Sequence, residues 1–300
     1  MIYTVTFNPA IDYLIHTDEM KLGDVNRSKY DEMYFGGKGI NVSIVLNELG
    51  IKSKALGFVA GFTGDAIERG ITEMGIDTKF VHLKNGNSRI NVKIKAGEET
   101  EINGQGPEID KSELEQLFYK TDRLEDGDTL ILAGSIPGSL PSDVYEKILD
   151  RIKEKEVRVV VDARNDLLLN VLKYNPFLIK PNNYELEEIF GLKLTSKEEI
   201  VECANKLQNL GAKNVLVSMA GDGALLLDEK GKIHQCGVCE GTVKNSVGAG
   251  DSMVAGFVAG LIEGDYDYAL KLGTACGGAT AFSNGLGKRD DIYRLLETLL

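Results

Sequence analysis

At 300 residues with 43% hydrophobic content, the chain is long enough for one large α/β core, or for a core with a smaller appendage. Charged residues make up 27% and Trp is absent, an ordinary enzyme composition that excludes a disordered chain. A net charge of −12 shows no sign of the basic surface by which proteins grip nucleic acid, although local cations and backbone N–H groups can still bind small anions.

The N-terminal run 1–7 reads as a strand and lacks the basic start and apolar core of a secretory signal. Further strand-like runs fall at 53–58, 129–133, 158–162, 177–179 and 214–218. Helical patterns lie between them, at 40–49, 64–74, 111–119, 141–153, 166–172, 184–190 and 198–210. Strand and helix in alternation predict an α/β fold: a doubly wound, mostly parallel sheet with helices on both faces.

Two segments break the alternation. Residues 13–35 and 88–106 read as β structure with turns. In the second, Ile90, Val92 and Ile94 alternate with Asn91, Lys93 and Lys95 before Ala96-Gly97-Glu98-Glu99 turns the chain. A hairpin with one apolar face needs cover. The two insertions can pair into a small β-sheet lid over the mouth of a site, and such a lid can also dimerise.

The C-terminal third carries helical patterns at 250–263 and 268–282, crowded with small residues such as Gly256, Gly260, Gly277 and Gly278. Close helix packing or close approach of a flat ligand would each explain them. The apolar stretch 253–262 is too short to span a bilayer, so the expectation is a cytoplasmic protein with no membrane contact. Cys236-Gly237-Val238-Cys239 is a lone C-x-x-C, with Cys203 and Cys276 elsewhere and only His234 of three histidines nearby. A zinc site needs more ligands, so these cysteines are expected to pack around a turn in a β segment.

Four motifs can carry chemistry. In Asn245-Ser246-Val247-Gly248-Ala249-Gly250-Asp251, glycines precede an apolar helix, and their N–H groups can converge on anionic oxygens. Asp251 would repel a bound phosphate unless a hydroxyl lay between them and had to lose a proton. An ordinary helix-start Asp is the alternative. Gly36-Gly37-Lys38-Gly39-Ile40-Asn41 has neither dinucleotide nor Walker spacing. It suits a polyol, with backbone for close approach, an amide for hydroxyls and a cation for phosphate, or else it is a turn before a helix. Asn182 and Glu185, three apart at a helix start, suit a water-clad Mg²⁺ or a capping box. Ser218-Met219-Ala220-Gly221-Asp222-Gly223 can lie along nucleotide phosphates or form a tight turn into the next strand.

In this order, and with Asn8-Pro9-Ala10-Ile11-Asp12 near the start, these motifs make nearly the whole chain resemble the ribokinase-like (phosphofructokinase-B) family of carbohydrate kinases. The resemblance implies one kinase domain over residues 1–300, with the lid from about 13–35 and 88–106 inserted in it. It implies ATP-dependent phosphorylation of fructose 1-phosphate at the C6 hydroxyl, or of tagatose 6-phosphate, with Asp251 as the proton acceptor and the Gly248, Ala249 and Gly250 backbone stabilising charge on the transferred phosphoryl group. Asp12, Gly37, Lys38, Asn41 and Arg89 would hold the sugar, with Ser135 lining the site. Arg27 is a weaker candidate for the substrate phosphate. Ser218, Met219, Ala220, Gly221, Asp222, Gly223 and Gly250 would contact ATP, and Asn182 and Glu185 would hold Mg²⁺ through water. Relatives commonly read Ser-x-Gly-Ala in the ATP loop, whereas this chain has its glycine one place later. A homodimer through the lid is expected. A silent sugar-phosphate sensor would be expected to lose Asp251 or the glycine run, and both are intact. A dinucleotide oxidoreductase would need a glycine fingerprint after the first strand, which instead runs into Asn8-Pro9.

Overall fold

The computed structural model describes residues 1–300. The first half runs β1 (Ile2–Thr6), β2 (Ala10–His16), β3 (Tyr30–Gly36), α1 (Lys38–Glu48), β4 (Ser53–Ala60), α2 (Gly61–Glu73), β5 (Asp77–Thr78), β6 (Val81–Leu83), β7 (Arg89–Ala96), β8 (Glu98–Asn103), α3 (Lys111–Thr121) and β9 (Thr129–Ala133). The second runs α4 (Val144–Ile152), β10 (Arg158–Asp162), α5 (Asn165–Val171), β11 (Leu178–Ile179), α6 (Asn183–Phe190), α7 (Lys197–Asn209), β12 (Asn214–Ser218), β13 (Ala224–Leu227), β14 (Ile233–Cys236), α8 (Ala249–Glu263), α9 (Tyr266–Ala281) and α10 (Arg289–Glu297).

The main sheet has the order β14-β13-β12-β11-β10-β9-β1-β4-β5, with β6 also paired to β4. It is parallel from β5 to β12, and β13 and β14 close one edge antiparallel. Side chains alternate across it. Leu130 and Leu132 of β9 enter the core under α3–α7, whereas Ile131 and Ala133 enter the core under α1, α8, α9 and α10. Chain order reverses on either side of β1, which opens a crevice at the carboxyl ends of the central strands.

The two β-rich insertions do pair. β3-β2-β7-β8 form a separate four-stranded sheet, with β2 and β7 parallel and the other pairs antiparallel. Its period-2 pattern sorts the faces: Asp12, Asn91, Lys93 and Glu101 share one face, and Tyr13, Met33, Val92 and Ile102 form a cross-strand row on the other.

The small residues of α8 and α9 serve both purposes left open above. A Cβ on Gly256 would lie 2.6 Å from Cys276 Sγ, and one on Gly260 would lie 2.6 Å from Ala269 Cα, so these two permit close helix packing. Gly277 and Gly278 also line the cleft described next. The cysteines are free and buried, and Cys236 and Cys239 pack in the core against α9. Helix α10 was not among the expected elements.

Candidate functional site

A cleft of about 900 Å³ lies between the carboxyl ends of the main-sheet strands and the polar face of the small sheet. Asp251 lines it, in the first turn of α8, with only 5% of its surface exposed. Gly248, at φ 82°, turns the chain into that helix in a left-handed conformation that suits glycine. The N–H groups of Gly248, Gly250 and Asp251 have no acceptor in the chain, whereas the Ala249 N–H is used by the Ser246 carbonyl at 3.2 Å. The free donors at a helix N-terminus make an anion site. Of the expected glycine-run donors, Gly248 and Gly250 are available, Asp251 joins them, and Ala249 is spent on its turn.

Two elements bring partners to Asp251. From α1, Asn41 Nδ2 donates to Asp251 Oδ2 at 2.8 Å, and Lys38 Nζ lies 3.9 Å from Oδ1. From the ends of β10 and β11 come Asp162 and Lys180. Lys38 donates to Asp162 at 2.8 Å, and Lys180 Nζ lies 3.4 Å from the other Asp162 oxygen. Burial, reinforced by the Asp162 charge and opposed by Lys38, pushes the Asp251 carboxyl up to about 6. Burial also acts to raise Asp162, but Lys180 and Lys38 outweigh it and hold that carboxyl below its ordinary range. Two carboxylates flanked by two lysines are thereby driven apart: Asp162 stays a fixed anion, while Asp251 can take a proton near neutrality.

Gly37 lines the cleft, but the reason for Gly39 is different from polyol approach. A Cβ there would lie 2.6 Å from the Val5 carbonyl, so Gly39 lets α1 dock on β1 and thereby sets Lys38 and Asn41. Asp12 accepts from Asn91 Nδ2 at 2.8 Å, and Arg89 Nε donates to the Asn8 carbonyl at 3.0 Å. All three line the cleft.

Asn182 and Glu185 form a reciprocal capping box on α6, and Arg164 Nε donates to Glu185 Oε1 at 3.0 Å. Their oxygens are already hydrogen-bonded, and no group of three or more His, Cys, Asp or Glu is arranged to hold a metal. Both residues nevertheless face the cleft with lone pairs to spare. That fits the waters of a hydrated Mg²⁺, not direct coordination.

In the loop after β12, Ser218, Ala220, Gly221 and Gly223 line the cleft. Met219 is instead buried in the core, and Asp222 is not among the lining residues. Ala220 takes φ 48°, a left-handed conformation that suits glycine, whereas Gly221 has open space around it. Ser135 is exposed and outside the cleft, and Arg27 lies on the exposed loop between β2 and β3. The sequence reading missed Asp162, Lys180, Asn91 and Lys93. A strand-terminal Asp and Lys are visible in the sequence, but their pairing is not.

Residues 5–291 match the model of the pfkB family of carbohydrate kinases. A 1-phosphofructokinase from Bacillus subtilis is 49% identical over 297 residues, covering 99% of this chain and 97% of that one. A D-tagatose-1-phosphate kinase from Bacillus licheniformis is 39% identical, with 99% and 97% covered. The crystal structure of phosphofructokinase-2 from Escherichia coli in complex with substrates and products superposes with a TM-score of 0.93 at 26% identity, with 99% of each chain covered.

Proposed function

The chain belongs to the pfkB family of carbohydrate kinases, and we propose that within it this protein transfers the γ-phosphoryl group of ATP to the C6 hydroxyl of fructose 1-phosphate, giving fructose 1,6-bisphosphate and ADP. The observation that carries the reading is Asp251: buried, raised to about 6, and in the same helical turn as free N–H donors. A sugar hydroxyl held against it loses its proton to the carboxylate as it attacks phosphorus, and the free N–H groups receive the charge that develops on the transferred phosphoryl oxygens. Lys38 and Lys180 offset that charge while Asp162 holds them in position. Asp12, Asn41 and Asn91 suit the sugar hydroxyls, and the loop from Ser218 to Gly223 suits the nucleotide phosphates. Asn182 and Glu185 would hold a hydrated Mg²⁺, which when bound neutralises phosphate charge.

The small sheet serves as the lid of one kinase domain spanning residues 1–300. Its outer row leaves Met33 51% and Ile102 59% exposed, which supports a homodimer through that face. No helix is long and apolar enough to cross a membrane.

Beside the tagatose 6-phosphate expected above, the 39% identical D-tagatose-1-phosphate kinase supports a second alternative sugar, tagatose 1-phosphate. It carries its phosphate on the same carbon as fructose 1-phosphate and differs from it only at C4. An ADP-release assay across fructose 1-phosphate, both tagatose monophosphates, fructose 6-phosphate and ribose tests the assignment. Fructose 1-phosphate should give the highest kcat/KM, and Asp251→Asn should lower turnover by roughly a hundred- to ten-thousandfold while ATP still binds. Another sugar in first place replaces the substrate. Binding without ADP release points to a non-catalytic sensor, and near-normal turnover in the Asn variant removes Asp251 as the base.

A further inference from the structure

Within the cleft, one buried cation has no part in the chemistry above. Lys93 lies on β7 in the same facing row as Arg89 and Asn91, and all three line the cleft. Its partner is Glu101, directly opposite on β8, at 3.2 Å.

The cleft's cations differ in how freely their carboxylate partners can leave. Lys38 and Lys180 share Asp162, whose side chain is only 2% exposed. Arg164 pairs with Glu185, which the capping box on α6 holds in place. Arg89 donates to a backbone carbonyl, which cannot move away. Glu101 alone sits on an edge strand with its side chain 38% exposed, so it can turn into water at small cost. The Lys93 side chain is only 8% exposed, so its ammonium cannot follow and needs an anion in the cleft. An ammonium has three N–H donors, of which Glu101 engages a fraction.

We propose that Lys93 is the specificity residue that selects a phosphorylated over an unphosphorylated sugar, by exchanging Glu101 for the substrate's own phosphate. This rests on the sugar-phosphate reading above. The exchange trades a mobile counter-ion for a dianion that the rest of the cleft already orients. A free sugar brings no anion, leaves the Lys93–Glu101 pair intact, and gains nothing from it.

The test compares the wild type with Lys93→Met, Lys93→Arg and Glu101→Gln, in steady-state kinetics and in calorimetric titration with fructose 1-phosphate and with fructose. Lys93→Met should raise KM for fructose 1-phosphate roughly ten- to a hundredfold, the value of a lost charge-assisted contact, with kcat and KM for ATP changed less than about threefold. Its calorimetric affinity for fructose 1-phosphate should fall by the same factor while that for fructose stays put, and Lys93→Arg should recover most of the loss. Glu101→Gln, freed of the competing carboxylate, should bind fructose 1-phosphate more tightly. A KM within twofold of wild type in Lys93→Met, or equal weakening toward fructose, overturns the proposal. If the wild type releases no ADP with any sugar phosphate, the kinase reading fails, and the titrations still decide the role of Lys93. If Lys93→Met does not fold, unchanged or weaker binding by Glu101→Gln overturns it.

Discussion

Asp251 concentrates the chemistry in one carboxyl group, and its environment makes that measurable. Burial raises it to about 6 from an ordinary 3.8. As a base it works only when ionised, so kcat/KM should fall about tenfold per pH unit below about 6 and level off above it. A profile flat down to pH 5 would deny Asp251 that role. The same shift acts on stability with a definite sign. Between 3.8 and about 6, the folded chain holds a proton that the unfolded chain has released, so stability declines as pH rises through that window and stays lower above it. Asp251→Asn removes this cost while its amide oxygen can still accept from Asn41. The melting temperature of that variant should rise by roughly 3–8 °C at pH 8 and hardly change near pH 4. A lower melting temperature at pH 8 would mean that burial is not what raises the carboxyl.

At the scale of elements, the nucleotide loop and the start of α8 show how local backbone serves the site. Ala220, two residues beyond the end of β12, holds φ 48° at a cost of roughly 1–2 kcal/mol for a residue with a Cβ. Ala220→Gly relieves that strain and offsets part of the gain through a more flexible unfolded chain. The variant should melt about 1–3 °C higher in calorimetry, with KM for ATP within about twofold of wild type. A lower melting temperature would show that the left-handed conformation is not costly here. Helix starts tell a related story. The spacing of Asn182 and Glu185 left a metal role and a capping box both open, and the structure contains the box, whose oxygens keep spare lone pairs toward the cleft for water.

For the whole molecule, the small sheet has two faces with different tasks. Its polar face closes the cleft, and its outer face presents the row Met33, Tyr13, Val92 and Ile102. Charge on that row should prevent pairing of two copies. Met33→Lys together with Ile102→Lys should shift the molecular mass by light scattering from dimer to monomer, with the melting temperature of the dilute protein little changed. A monomeric wild type at micromolar concentration would remove the proposed interface.

The amino-acid sequence by itself determined the alternation of strands and helices, the two β insertions and the order of the motifs. These depend on periodicity, glycine placement and residues close along the chain. Most expected strands and helices agree with the structure to within a few residues, and the principal helix missed, α10, is short and largely polar around Ile292, Leu295 and Leu296. Only the tertiary structure decided the electrostatics. Asn41 meets Asp251 across 210 residues, and Lys38 meets Asp162 across 124, because strand order places β10 and β11 beside the α1 and α8 starts. It also set Met219 in the core and left Ser135 and Arg27 outside the cleft, since which side of a loop faces a cavity depends on what packs beneath it. Coulomb interactions act through space and burial depends on neighbours, so neither can be read from spacing along the chain.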